Sequence, residues 1–246
     1  MQEKNLKIKL ADGHTLYGKF SGSFTEPLFI VLHGMTGDME DELYTMAVNW
    51  FQKKQFATFR FNFYGFQKDA RQLMDSTIKI QSSDLDRVVK YFRNKGVKKI
   101  FIVAHSFSGP VVLSSVDRDF DAVVFWDPTY RISFTKGTKD FPSGKYIKEV
   151  DAYAMHWGVN ILISRALAKE VDSFPWNTIT KDLAVPLKII IGDNSELKGS
   201  KKYLNVLKAE KEFEALKGGT HTFNDSDKIR EALFKSTYSW FKKFLK

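Results

Sequence analysis

The chain has 246 residues and no cysteine, so disulfide stapling, thiolate catalysis and Cys-ligated zinc are excluded. Its length suits one large α/β domain or two small ones, and its 43% hydrophobic content, with 22 phenylalanines, can fill a core. The formal charge of +9 raises the question of an acidic partner, but the positive residues are scattered. Their densest cluster, Lys90, Arg93, Lys95, Lys98 and Lys99, falls at a helix end, where cations suit the dipole. No nucleic-acid module accompanies it, so no nucleic-acid partner is expected.

The opening residues, M-Q-E-K-N-L-K-I-K-L, lack the apolar core of a signal peptide. No apolar run approaches the roughly 18–20 residues that span a bilayer. The expectation is a cytoplasmic protein without stable membrane insertion.

Leu6–Leu10 and Thr15–Phe20 flank Asp12-Gly13 and predict a hairpin. After Pro27, Leu28–Leu32 is a continuous apolar run, the pattern of a strand buried on both faces. Asp41–Lys53 carries Leu43, Met46, Ala47 and Trp50 at helical spacing, and Phe56–Phe63 alternates before Tyr64-Gly65. Ser76–Asn94 predicts a second helix through Ile80, Leu85, Val88, Val89 and Phe92. Lys99–Ala104 is another buried strand, followed by the helix-forming Pro110–Val116. Ala122–Trp126, Leu187–Ile191 and Lys211–Leu216 complete the strands, and a helix from about Asp225 to Phe244 closes the chain. Alternating strands and helices predict a mostly parallel sheet covered on both faces, with all strand C-termini on one edge. Tyr130 to Val185 is too long for one crossover and is read as a helical cap, with a helix over about Glu149–Lys169. The expected division is core residues 1–129, cap 130–185 and core 186–246.

Three strand ends carry groups that could do chemistry. Ala104-His105-Ser106-Phe107-Ser108-Gly109 joins a buried strand to a helix through small residues, the layout of a nucleophile elbow. His33-Gly34-Met35-Thr36-Gly37 is a glycine-rich turn whose Met35 N–H could face a developing oxyanion, with the Phe107 N–H as second donor. Gly218-Gly219-Thr220-His221-Thr222-Phe223 places a histidine ahead of the last helix, where it could act as general base on Ser106. Together these segments resemble the α/β-hydrolase superfamily, above all its serine esterase, acylglycerol lipase and serine aminopeptidase-like members. The resemblance covers nearly the whole chain outside the cap and implies Ser106 as nucleophile and His221 as base.

The acid that would orient His221 departs from the family pattern. The usual place is three residues beyond the glycine ending the penultimate strand, and here that residue is Ser195. Asp193 is the first choice, with Asp127, ahead of Pro128, and Glu196 as alternatives. His33 and His105 are read as packing and hydrogen-bonding residues, and His156 as a pocket wall or packing residue. The cap aromatics Tyr146, Tyr153, Trp157, Phe174 and Trp176 could shape a substrate pocket or fill a core. Gly137 to Gly144-Lys145 has the wrong spacing for a phosphate loop, and no cluster has metal-ligand spacing, so no cofactor or metal is expected. The expected activity is hydrolysis of a small-molecule carboxylic ester of small or medium acyl size through an acyl-enzyme on Ser106. Acyl transfer, thioester or peptide cleavage would use the same residues, and a catalytically silent binding protein of the same fold is the alternative.

Overall fold

The computed structural model describes residues 2–138, 142–156 and 159–246. Eight strands form the central sheet: β1 (Lys4–Lys9), β2 (Thr15–Ser21), β3 (Leu28–Leu32), β4 (Ala57–Asn62), β5 (Ile100–His105), β6 (Ala122–Trp126), β10 (Leu187–Gly192) and β11 (Lys211–Leu216). Their spatial order is β1-β2-β4-β3-β5-β6-β10-β11. The β1–β2 hairpin is antiparallel, β2 meets β4 antiparallel, and every other neighbour in this sheet is parallel.

The parallel strands are apolar on both faces because both faces are covered. Leu28, Ile30 and Leu32 of β3 pack with α2 (Ile78–Asn94) and α3 (Ser108–Leu113) in one layer, beside Ile100, Ile102 and Ala104 of β5. The alternate residues Phe29, Val31, Phe101 and Val103 pack against α1 (Glu42–Gln52) and α5 (Asp227–Lys242). Both long helices start at hydroxyl caps: Thr77 accepts the N–H of Ile80 at 3.2 Å and Ser226 that of Ile229 at 3.3 Å. No helix among the described residues is long and apolar enough to cross a membrane.

The insertion between β6 and β10 differs from the helical cap expected. The stretch read as one helix over Glu149–Lys169 instead holds β8 (Ala152–His156) and β9 (Asn160–Ser164), paired antiparallel with each other and, through β8, with β7 (Lys145–Ile147). Tyr153 faces Ile163 and Met155 faces Ile161 across the ladder, pairs that favour a sheet over a helix. The helix begins only at α4 (Arg165–Asp172), where the Ser164 hydroxyl accepts the N–H of Leu167 at 3.1 Å. Glu170 on α4 accepts the N–H groups of Ile78 and Lys79 at 2.6 and 3.0 Å, so the insertion caps α2 of the core.

Candidate active site

The C-terminal ends of β3, β5, β6, β10 and β11 lie on one edge of the sheet and bring together the groups that the sequence singled out. At the end of β5 the chain turns sharply, and Ser106 adopts the left-handed conformation with φ 55°. For a residue with a Cβ this costs about 1–2 kcal/mol. Neighbouring strands hold the turn. Ser106 N–H donates to the carbonyl of Trp126 at 3.0 Å, and its own carbonyl accepts from Thr129 at 3.1 Å. Gly34 must be glycine, since a Cβ there would stand 2.8 Å from that of Ser106. Gly109 lies equally close to Pro128, so the elbow helix packs directly on the turn after β6. Ser108, at a position where the elbow pattern has glycine, donates its hydroxyl to the carbonyl of His105 at 2.8 Å.

His221 approaches from the loop after β11. Its Nε2 lies 3.0 Å from Ser106 Oγ, and its Nδ1–H donates to Asp127 Oδ2 at 2.6 Å. Asp127 is wholly buried at the end of β6 and also takes a left-handed φ, 44°. Serine, imidazole and carboxylate thus form one continuous hydrogen-bonded line.

The structure corrects the choice of Asp193. That carboxylate accepts the N–H of Gly218 at 2.7 Å, tying β10's turn to the loop that carries His221, and among the described residues the imidazole nitrogens pair with Asp127 and Ser106 instead. Glu196 is exposed, with no hydrogen bond or ion pair among the described residues. Ser195, in the usual place of the acid, donates its hydroxyl to Asp127 Oδ2 and accepts the N–H of Leu197 at 3.0 Å. The physical reason is strand order: β6 and β10 are direct neighbours, so their C-terminal turns converge on one point. A carboxylate on either strand can reach the same imidazole nitrogen. The signal available in the sequence was Asp127 itself, a carboxylate directly after five fully apolar residues.

The N–H groups of Met35 and Phe107 have no hydrogen-bond partner among the described residues, and both residues line the cleft beside Ser106. Two side chains hold the turn that carries Met35. His33 Nε2 accepts the N–H of Phe63 at 3.1 Å, which leaves Nδ1–H to donate to the Gly34 carbonyl at 2.7 Å. Burial pushes the His33 imidazole below its ordinary pKa, so it stays neutral in this role. Tyr64 OH accepts the N–H of Thr36 at 3.1 Å.

The cleft measures about 640 Å³ and is walled by Met35, Thr129, Ile132, Leu197 and Thr222. Asp41 and Glu196 also line it, and no lysine or arginine does among the described residues. Of the cap aromatics, Phe174 and Trp176 pack at a tilt with centroids 4.5 Å apart, and Tyr146 packs on Tyr153 at 5.1 Å. None of these four lines the cleft, and Trp157 lies outside the described residues. His156 bonds Asn160 across the β8–β9 turn at 2.8 Å, away from Ser106. A larger groove of about 1090 Å³ runs along α2, lined by Lys79, Asp84, Asp86, Lys90 and Glu170, and neither Ser106 nor His221 lines it. No group of three or more metal-binding side chains forms among the described residues.

No protein-family model matches the sequence, and no curated protein does. Solved structures do match over the whole length. Est1E from Butyrivibrio proteoclasticus, with ferulic acid bound, superposes with a TM-score of 0.79 at 18% identity, covering 98% of this chain and 99% of that one. The esterase domain of a Rhodothermus marinus protein gives 0.77 at 14% identity, with 100% of both chains covered. The alpha/beta hydrolase GrgF from Penicillium sp. sh18 gives 0.75 at 17% identity, over 100% of this chain and 99% of that one. The parallel order of the sheet, the elbow at Ser106 and these superpositions agree: the chain has the fold of the α/β-hydrolase superfamily.

Proposed function

We propose that the protein is a serine hydrolase of uncharged carboxylic esters with small or medium acyl groups. The observation that carries this reading is the line from Ser106 Oγ through His221 to Asp127, at 3.0 and 2.6 Å, opening on a cleft. Ser106 Oγ attacks the ester carbonyl while His221 Nε2 takes its proton. Asp127 holds Nδ1 protonated beforehand and stabilises the imidazolium that forms, from a buried position where the pairing is little screened. The N–H groups of Met35 and Phe107 receive the charge on the carbonyl oxygen. His221 then returns its proton to the leaving alcohol, and a water activated by the same imidazole releases the acid from Ser106. The esterases among the structural neighbours support the same chemistry.

The test is labelling with a fluorophosphonate probe, followed by p-nitrophenyl esters of increasing chain length. The expected result is one adduct on Ser106, absent in Ser106→Ala, with turnover declining for long acyl chains. Neither adduct nor turnover in the folded protein overturns the reading.

A further inference from the structure

Two buried residues beside Ser106 take no part in the proton path just described. His105 Nε2 lies 2.8 Å from the carbonyl oxygen of His221, which can only accept, so Nε2 carries the ring's proton. Nδ1 of the neutral ring then accepts the hydroxyl of Tyr44 at 2.7 Å. The Tyr44 oxygen in turn accepts the N–H of Gly34 at 3.2 Å. One direction of donation satisfies all three bonds: Gly34 to Tyr44, Tyr44 to His105, and His105 to the main chain of His221. The two imidazoles also stack, with centroids 4.8 Å apart and planes 30° from parallel.

We propose that Tyr44 and His105 are positioning residues that fix the Gly34–Met35 turn and the main chain of His221 on opposite sides of Ser106. The role rests on the serine-hydrolase reading above. The turn after β3 and the loop after β11 come from strands separated by β5, β6 and β10, and neither is held by regular secondary structure. Small displacements of loop-borne groups are costly, with about 1 Å enough to lose about 100-fold in rate. Tyr44, from α1, and His105, from the last residue of β5, bridge that gap with rigid rings. The bridge requires a neutral His105. Burial, reinforced by the neighbouring His221, pushes its pKa down to about 3, while burial raises that of Tyr44 and keeps its proton available to donate. A charged His105 would have no acceptor at Nδ1 and would oppose the charge that His221 gains in the reaction.

The experiment compares Tyr44→Phe, His105→Leu and His105→Gln with the wild type, using kcat and KM for p-nitrophenyl butyrate and the rate of fluorophosphonate labelling. Tyr44→Phe should lower kcat about tenfold with KM within about twofold, because it removes bonds that hold the site and none that hold the ester. His105→Leu should lower kcat about 100-fold, and His105→Gln, whose amide can still donate to the His221 carbonyl, should recover about tenfold of that loss. A merely structural pair would shift the melting temperature and leave the kcat of folded variants alone. Folded Tyr44→Phe with wild-type kcat, a loss confined to KM, or His105→Gln no better than His105→Leu overturns the proposal. If His105→Leu does not fold, Tyr44→Phe decides. Imidazole ¹⁵N shifts of the wild type read the tautomer whether or not the protein is active: protonated Nε2 with bare Nδ1 supports the chain of bonds, and the opposite tautomer overturns it. A wild type that neither labels nor turns over removes the reaction and this role together, whereas an active wild type with unimpaired variants removes the role alone.

Discussion

Asp127 Oδ2 accepts two hydrogen bonds, one from His221 Nδ1–H and one from the hydroxyl of Ser195. On the proposed reading, Ser195, at the position where the resemblance implies an acid, holds the Asp127 carboxylate that takes that role. Ser195→Ala should lower kcat about tenfold, near the low end of the value of one hydrogen bond to a charged group, with KM little changed. Since Ser195 and His221 bond the same carboxylate oxygen, Ser195→Asp placed in an Asp127→Asn background should regain at least about tenfold in kcat over Asp127→Asn alone. Steady-state kinetics on the single and double variants checks both. His105 gives a pH signature. In the fold burial keeps it neutral down to about pH 3, whereas in the unfolded chain it takes a proton near the ordinary imidazole pKa of 6.5. Between those limits the unfolded state binds the extra proton, so stability is complete above the upper limit and falls as pH drops. Urea unfolding at about pH 7 and about pH 5 should show a smaller loss for His105→Gln than for the wild type. His33, depressed by burial in the same direction, keeps some slope in both.

At the scale of elements, the strands and helices of the core were legible because burial on two faces writes a simple pattern. Ala122–Trp126 and Lys211–Leu216 match their sequence readings residue for residue, and the long helices differ only at their ends. The insertion was not legible. Tyr153 and Met155, then Ile161 and Ile163, are spaced two apart as in strands, but each run is only five residues long and its pairing shows only in the ladder contacts. Ser164 was a usable signal, being an N-cap residue ahead of a run of helix formers. The insertion's grip on the core is also testable. Glu170→Gln removes the charge from a carboxylate that closes the N-terminus of α2 and should cost about 1 kcal/mol, read as a lower melting temperature with the ester kinetics unchanged.

On the scale of the whole molecule, the charge is unevenly placed. The chain carries +9, yet Asp41 and Glu196 line the cleft at Ser106 and no lysine or arginine does among the described residues. A p-nitrophenyl hemisuccinate should therefore turn over several times more slowly than the butyrate, with the gap narrowing as salt screens the carboxylates. What local sequence could not supply was strand adjacency. The motifs that single out Ser106 and His221 each lie within one turn, but which carboxylate bonds His221 depends on β6 lying beside β10, a fact of global topology. The measurement that bears most directly on the proposed machinery is kcat for Asp127→Asn beside Asp193→Asn on the same ester. Asp127→Asn should lose about 10⁴, as expected for the residue that fixes the base, while Asp193→Asn, which only clamps Gly218, should stay within about fivefold of wild type. Full activity in Asp127→Asn, or the large loss falling on Asp193→Asn instead, would contradict the assignment of Asp127 as the acid.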